Sequence, residues 1–235
     1  MDSDPMDTSA QQPERDRSPD PSWGRVGRSR FVRAALVAGG LVAALMLFSG
    51  LVAQPYAIPS DSMANTLKPG DRILVNKLAY RFGNLPQRGD VVVFDGTGSF
   101  TEATESDPLG DLVRSAGAVV GLASPPGSDY VKRVVGTEGD RIKCCDSTGR
   151  LEVNGKPLEE PYIHPQDRPS EVPFDTLVPT GRLWVMGDHR SDSQDSRHFL
   201  GHPGGGTVPV DKVIGRAERV IWPFGRSADI GASRG

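Results

Sequence analysis

Between Ala34 and Ala53 the chain runs for 20 residues, AALVAGGLVAALMLFSGLVA, without a single charge. At 1.5 Å per residue such a helix is about 30 Å long, the thickness of a bilayer's hydrocarbon core. Gly39, Gly40 and Gly50 would weaken a soluble helix but are common in membrane spans. The alternative is a cleaved secretory segment, with an apolar core of roughly 7 to 15 residues and a small-x-small site behind it. This run is too long, and Leu51-Val52-Ala53 ends it with a large residue where a small one is wanted. An uncleaved anchor over 34–53 is expected. Over the stretch 15–33, Arg15, Arg17, Arg25, Arg28, Arg30 and Arg33 face only Asp16 and Asp20, whereas the 20 residues after Ala53 carry just Lys68 and Arg72 as bases. The positive-inside rule then puts the N-terminus in the cytoplasm and everything beyond Ala53 outside. Residues 1–33, rich in Pro, Asp, Ser and Arg, read as a disordered cytoplasmic tail.

The remaining length allows one outer domain. Gly and Pro supply 48 of the 235 residues, which favours short strands and many turns. The net charge of -3 gives no global basic field, so nucleic acid is not expected as a partner. Cys144 and Cys145 are the only cysteines, which excludes a disulfide framework and a four-cysteine metal site. A disulfide between sequence neighbours closes a small, strained ring, so a packed or reduced pair is expected, with the redox state left open. Strand-like runs fall at Arg72–Asn76, Val91–Phe94, Tyr130–Val135, Leu151–Val153, Leu183–Met186 and Lys212–Ile221, and Asn154-Gly155 is a two-residue hairpin signal. Polar, Gly-rich sequence over 95–129 interrupts them around a short helical pattern near Leu109 to Leu122. The expected architecture is a mainly β domain over 54–225 on one N-terminal helix, with a flexible tail over 226–235.

Three segments could carry chemistry. Ile58-Pro59-Ser60-Asp61-Ser62-Met63 reads first as a turn, yet Ser62 lies only nine residues beyond Ala53. An extended connection of about 30 Å at most would keep it beside a membrane. Asp129-Tyr130-Val131-Lys132-Arg133-Val134-Val135-Gly136 embeds Lys132 in the most apolar run that holds a lysine. Alternation sends Lys132 and Arg133 to opposite faces, so one of them must meet apolar neighbours. Such a base is either a snorkelling edge charge or a lysine whose pKa is lowered by desolvation until it can act as a general base. Met186-Gly187-Asp188-His189-Arg190-Ser191-Asp192-Ser193-Gln194-Asp195-Ser196-Arg197 gathers three aspartates, two arginines and one imidazole within twelve residues. It fails as a calcium loop, having no Gly sixth or Glu twelfth, and as a zinc site it lacks a second well-spaced His or Cys, so no metal is expected. It suits an ion-paired turn able to orient a catalytic group. A Ser-His-Asp triad is disfavoured, because Asp188 is poorly placed to orient the ring of its own neighbour His189.

These segments, in this order behind one anchor, resemble the bacterial type I signal peptidases (leader peptidases) over roughly Gln54 to Phe224. The motifs are S-x-S-M at Ser60–Met63, G-D-x-I-L-V at Gly70–Val75, Y-V-K-R-V-V-G at Tyr130–Gly136, and G-D-x-R-x-x-S-x-D-S-R at Gly187–Arg197. The resemblance implies a β-rich serine endopeptidase with a Ser-Lys dyad, bound to the bacterial cell membrane with its catalytic domain on the outer face. It implies exported preproteins and the lipid bilayer as partners, and no cofactor. Carried over, Ser62 is the nucleophile and Lys132 the general base. Ser60 and the Ser62 amide form the oxyanion hole, and Ser193 hydrogen-bonds the lysine. Asp188, Arg190, Asp195 and Arg197 form the supporting ion-pair cluster. Tyr56, Ile58, Met63, Leu67, Ile73, Tyr130 and Val131 line a shallow apolar substrate wall that selects small residues of the A-x-A type. The sequence departs from the pattern at Asp61, where a small residue is frequent, and at Ala64-Asn65. His189 stands where Asn is common, and Ser191 where an acid is common. Two other readings are a self-cleaving Ser-Lys regulator, which the anchor disfavours, and a non-catalytic tethered envelope protein, which leaves the ordered motifs unexplained.

Overall fold

The structure, a computed structural model, describes residues 23–101 and 128–230. The helical pattern near Leu109 to Leu122 lies outside the described residues. Helix α1 spans Trp23–Leu51, so it begins well before the charge-free run. Residues 23–33, expected in a disordered tail, are helical instead. Once a long apolar segment has nucleated a helix, each further residue adds a hydrogen bond at little cost, and arginine is a good helix former. Among the described residues α1 is the one helix long and apolar enough to cross a membrane. Its last turn is closed from within the following domain, where Lys77 Nζ donates to the Gly50 carbonyl at 3.3 Å.

Among the described residues eleven strands follow: β1 (Ala53–Ala57), β2 (Arg72–Asn76), β3 (Val91–Asp95), β4 (Asp129–Gly136), β5 (Arg141–Cys144), β6 (Leu151–Val153), β7 (Lys156–Pro157), β8 (Phe174–Leu177), β9 (Arg182–Met186), β10 (Val208–Pro209) and β11 (Val213–Trp222). They form a seven-stranded sheet in the order β1-β2-β11-β3-β4-β9-β10 and a four-stranded sheet in the order β7-β6-β5-β8. All pairings between these strands are antiparallel. The domain is mainly β, as the turn-rich sequence implies. β3 explains why its sequence is a continuous apolar run rather than an alternation. Val91 and Val93 enter one core with Ile58, Met63, Leu67 and Ile73, while Val92 and Phe94 enter another with Val134 and Val185. A strand covered on both faces needs apolar residues at every position. The β6–β7 turn fulfils its hairpin signal, with Asn154 at φ 54° and Gly155 at φ 74°, the pair of positive values that this tight turn demands.

Two local expectations are corrected. Cys144 and Cys145, expected to be a packed or reduced pair, are packed but not reduced: they are joined in a disulfide with their Cα atoms 3.0 Å apart. Both pack against the core of the second sheet, which holds the two sulfurs side by side. Residues 226–230, expected to be a flexible tail, are docked on β11. The Ile230 amide donates to the Glu218 carbonyl at 2.8 Å, Ile230 is buried in the first core, and Arg226 Nη1 bonds buried Asp71 at 2.8 Å. An apolar residue and a cation that completes a buried carboxylate suffice to hold the segment. Truncation after Gly225 should therefore destabilise the domain by about 1 to 3 kcal/mol, most of it from the lost isoleucine burial. Thermal melting checks this, and an unchanged midpoint would show that the segment contributes nothing.

Candidate active site

The loop between β1 and β2 is held from below. Met63 and Leu67 are buried in the first core, and the Leu67 amide closes a turn on the Met63 carbonyl at 2.7 Å. The Ile58 amide bonds the Asp71 carbonyl at 2.9 Å, and the Gly70 amide bonds the Ile58 carbonyl at 2.9 Å, so the two ends of the loop are clipped together. Ser62 rides half-buried on this frame. Its carbonyl accepts the His189 amide at 3.2 Å, which ties the loop to the segment after β9.

Lys132 comes from the middle of β4, between β3 and β9, 70 residues along the chain from Ser62. Its Nζ lies 2.7 Å from Ser62 Oγ, in hydrogen-bond contact, and the side chain is almost wholly buried, at 3% exposure. Burial lowers the ammonium pKa to about 8; Asp195 and Asp188 pull it upward, and Arg197 pushes it down. Arg133 is buried as well. Sequence alternation required one of the two bases to face apolar surroundings, and the fold buries both. Ser60 Oγ lies 3.3 Å from Ser62 Oγ, on the exposed side of the loop.

The expected single cluster of Asp188, Arg190, Asp195 and Arg197 is divided into separate pairs. Arg133 grips Asp188 with two bonds of 2.8 and 2.6 Å and lies over the Tyr162 ring at 4.1 Å. Thr66 Oγ1 donates to the same carboxylate at 2.5 Å. Arg190 pairs with Glu160 and donates to the Gly187 and Pro169 carbonyls, both at 2.9 Å. Arg197 holds Asp195 with bonds of 2.9 and 2.8 Å and donates to the Arg190 carbonyl at 2.7 Å. Neighbouring charges in sequence point apart, so each finds its partner where the backbone directs it. Ser193, expected on the lysine, donates instead to Asp195 at 2.8 Å. A buried carboxylate is a stronger acceptor than an amine. The same carboxylate accepts the Gly187 amide at 3.0 Å, and hydrogen bonds of this kind, with the Arg197 pair, hold its pKa below the ordinary carboxylate value against burial.

Of the substrate-wall candidates, Tyr56, Ile58, Met63, Leu67 and Ile73 are buried in the first core, with Val131 half-buried against it. Leu67 and Ile73 have no exposed surface and can only back such a wall. Tyr130 belongs to the other core, stacked on Phe94. The Tyr56 hydroxyl bonds Asp129, whose carboxyl is pushed up to about 6 by burial and by nearby Asp95. A separate cleft of about 630 Å³, bordered by Tyr80, Leu85, Leu183 and Ile214, includes none of the candidate catalytic residues.

Four residues of the site escaped the sequence reading. Arg133 and Gly187 lie inside the quoted motifs and Thr66 three residues beyond the first, but nothing local assigns Arg133 to Asp188. Gly187 abuts the Ser62 carbonyl and Ser193 so closely that a Cβ there would collide with both. Glu160 has no local signal at all, being 30 residues from Arg190. A second imidazole also reaches His189, from His164, with Asp167 beside them.

The signal peptidase, peptidase S26 family profile matches residues 28–222. Signal peptidase I of Mycobacterium tuberculosis is 41% identical over 219 residues, covering 83% of this chain and 73% of that protein. Signal peptidase I of Leptolyngbya laminosa is 36% identical over 184 residues, covering 77% and 74%. Signal peptidase IB of Staphylococcus aureus is 33% identical over 196 residues, covering 77% and 83%. The chain belongs to the signal peptidase family, peptidase S26.

Breaking a buried pair leaves a charge without a partner, which costs about 3 to 5 kcal/mol. Glu160→Ala, which strands Arg190, and Asp195→Ala, which strands Arg197, should each lower the melting temperature by on the order of 10 °C. A Glu160→Ala protein melting with the parent would show that this pair is not buried in solution.

Proposed function

We propose that Ser62 and Lys132 carry out the peptide-bond cleavage by which this signal peptidase removes signal peptides from preproteins. The observation that carries the assignment is the 2.7 Å contact between Lys132 Nζ and Ser62 Oγ, made by a lysine with almost no access to water. A lysine with the ordinary pKa of about 10.4 is neutral in roughly one molecule per thousand near pH 7.4, and one at about 8 in about a fifth. Neutral Lys132 takes the proton as Ser62 attacks the scissile carbonyl, then delivers it to the leaving amine. The same amine deprotonates the water that hydrolyses the acyl-enzyme. Ser60, by rotation of its hydroxyl, and the Ser62 amide stabilise the tetrahedral oxyanion. Asp195, held by Arg197 and Ser193, and Asp188, held by Arg133, fix the loop that backs the dyad. An extended substrate presents its first and third residues before the cut to one wall, and the apolar residues around Ile58 and Val131 favour small side chains there.

The arginine excess over residues 15–33, ahead of the charge-free run, supports a single-pass topology with the N-terminus in the cytoplasm and the peptidase domain on the outer face of the membrane. Protease added to spheroplasts should then digest the domain and spare the tail. Protection of the domain would reverse the topology.

Preprotein cleavage by purified protein in detergent tests the dyad. Ser62→Ala and Lys132→Arg should both abolish turnover, since arginine does not deprotonate usefully. Wild-type kcat/KM should rise with pH through about 8, as Lys132 loses its proton. The folded pKa lies below the unfolded one, so the buried ammonium destabilises the fold below pH 8, and that penalty fades as pH rises towards the unfolded value. Lys132→Met should accordingly abolish activity yet raise the melting temperature at pH 7. Turnover by Lys132→Arg would refute the assignment.

A further inference from the structure

The chain has four histidines, and the fold stacks two of them behind the nucleophile. The rings of His164 and His189 are 4.4 Å apart between centroids and tilted by 29°. The Nδ1 atoms of both are buried and without a hydrogen-bond partner among the described residues. Asp167 lies beside them, and one potential ligand atom from each of the three residues falls within 4.8 Å of the other two. Two neutral imidazoles and a carboxylate form a donor set typical of zinc, with three protein ligands and a place for water. Tetrahedral ligands at such a metal are about 3.4 Å apart, so side-chain rotations of about an ångström would close the group.

The backbone around the cluster is tied to the site. The His164 amide bonds the Asp188 carbonyl at 2.9 Å, the His189 amide bonds the Ser62 carbonyl at 3.2 Å, and the Asn65 amide group donates to the Tyr162 carbonyl at 3.1 Å. Asp167 is oriented by its own partner, since Ser191 Oγ donates to Oδ1 at 2.7 Å. Three loops thus meet where these side chains converge.

We propose that His164, Asp167 and His189 form a binding site for one zinc-type divalent ion, which clamps the 160–169 loop to the 187–191 loop behind Ser62. The ion takes no part in proton transfer, which stays with Lys132, and the site does not depend on the dyad assignment. Its ligands lie 25 residues apart along the chain, which is why a search for local ligand spacing passed it over.

The test uses the full chain in detergent, freed of metal by a chelator and titrated with Zn²⁺ or Co²⁺ alone. One ion per chain should bind saturably, Co²⁺ should develop visible d–d absorption, and a hundredfold excess over Kd should raise the melting temperature by about 5 °C. His164→Gln and Asp167→Asn should each weaken Co²⁺ binding at least tenfold while keeping the metal-free melting temperature and preprotein cleavage. Absence of saturable binding to the parent, or parental Co²⁺ affinity in both variants, would overturn the proposal.

Discussion

A lysine ammonium stripped of water is an unstable object, and the structure around Ser62 is arranged to tolerate one. Burial within β4 pushes Lys132 towards its neutral form, while two carboxylates behind it keep that shift from running further. Removal of the carboxylates would leave an amine too weak to hold a proton through the reaction. Exposure of the amine itself to water would leave it too fully charged to accept one. A value of about 8 is the balance of these effects, and it lies in the range that the proposed role of Lys132 as a general base needs.

That balance requires buried aspartates, and buried aspartates require arginines. Asp188 is satisfied by Arg133 and Thr66, Asp195 by Arg197, Ser193 and the Gly187 amide. Each arginine then needs its remaining donors met, and Arg190 is met by Glu160 and two carbonyls. The burial of one base thus propagates into a hydrogen-bonded mass joining β4, the loop after β9 and the 160–169 loop. Such a network specifies geometry more than it adds stability, because the desolvation of its ions offsets much of their attraction.

Strands were legible wherever their apolar content was local. β2 and β6 match the sequence reading residue for residue, and β3, β4, β9 and β11 match it to within a residue or so at their ends. β1 and the two-residue β7 and β10 were not legible. All three contain proline and sit at sheet edges, where the missing N–H costs no ladder bond. β5 and β8 are four-residue strands, and β8 puts an exposed leucine, Leu177, beside its charged Asp175, so both are too short for alternation to stand out.

The sequence by itself determined the long N-terminal apolar helix, because twenty uncharged residues have no stable place in water. It also marked out the base candidate, because Lys132 shares its strand face with Tyr130 and Val134, while the fold decided between a snorkelling and a buried side chain. Tertiary structure decided the pairing of every buried charge: Arg133 with Asp188, Arg190 with Glu160, Arg197 with Asp195. It likewise decided that His164 meets His189 and that residues 226–230 dock on β11. Burial and periodicity are properties of neighbouring residues and are written locally. The partner of a buried charge is set by which loops the fold brings within 3 Å, and residues far apart along the chain become neighbours only when the sheets close.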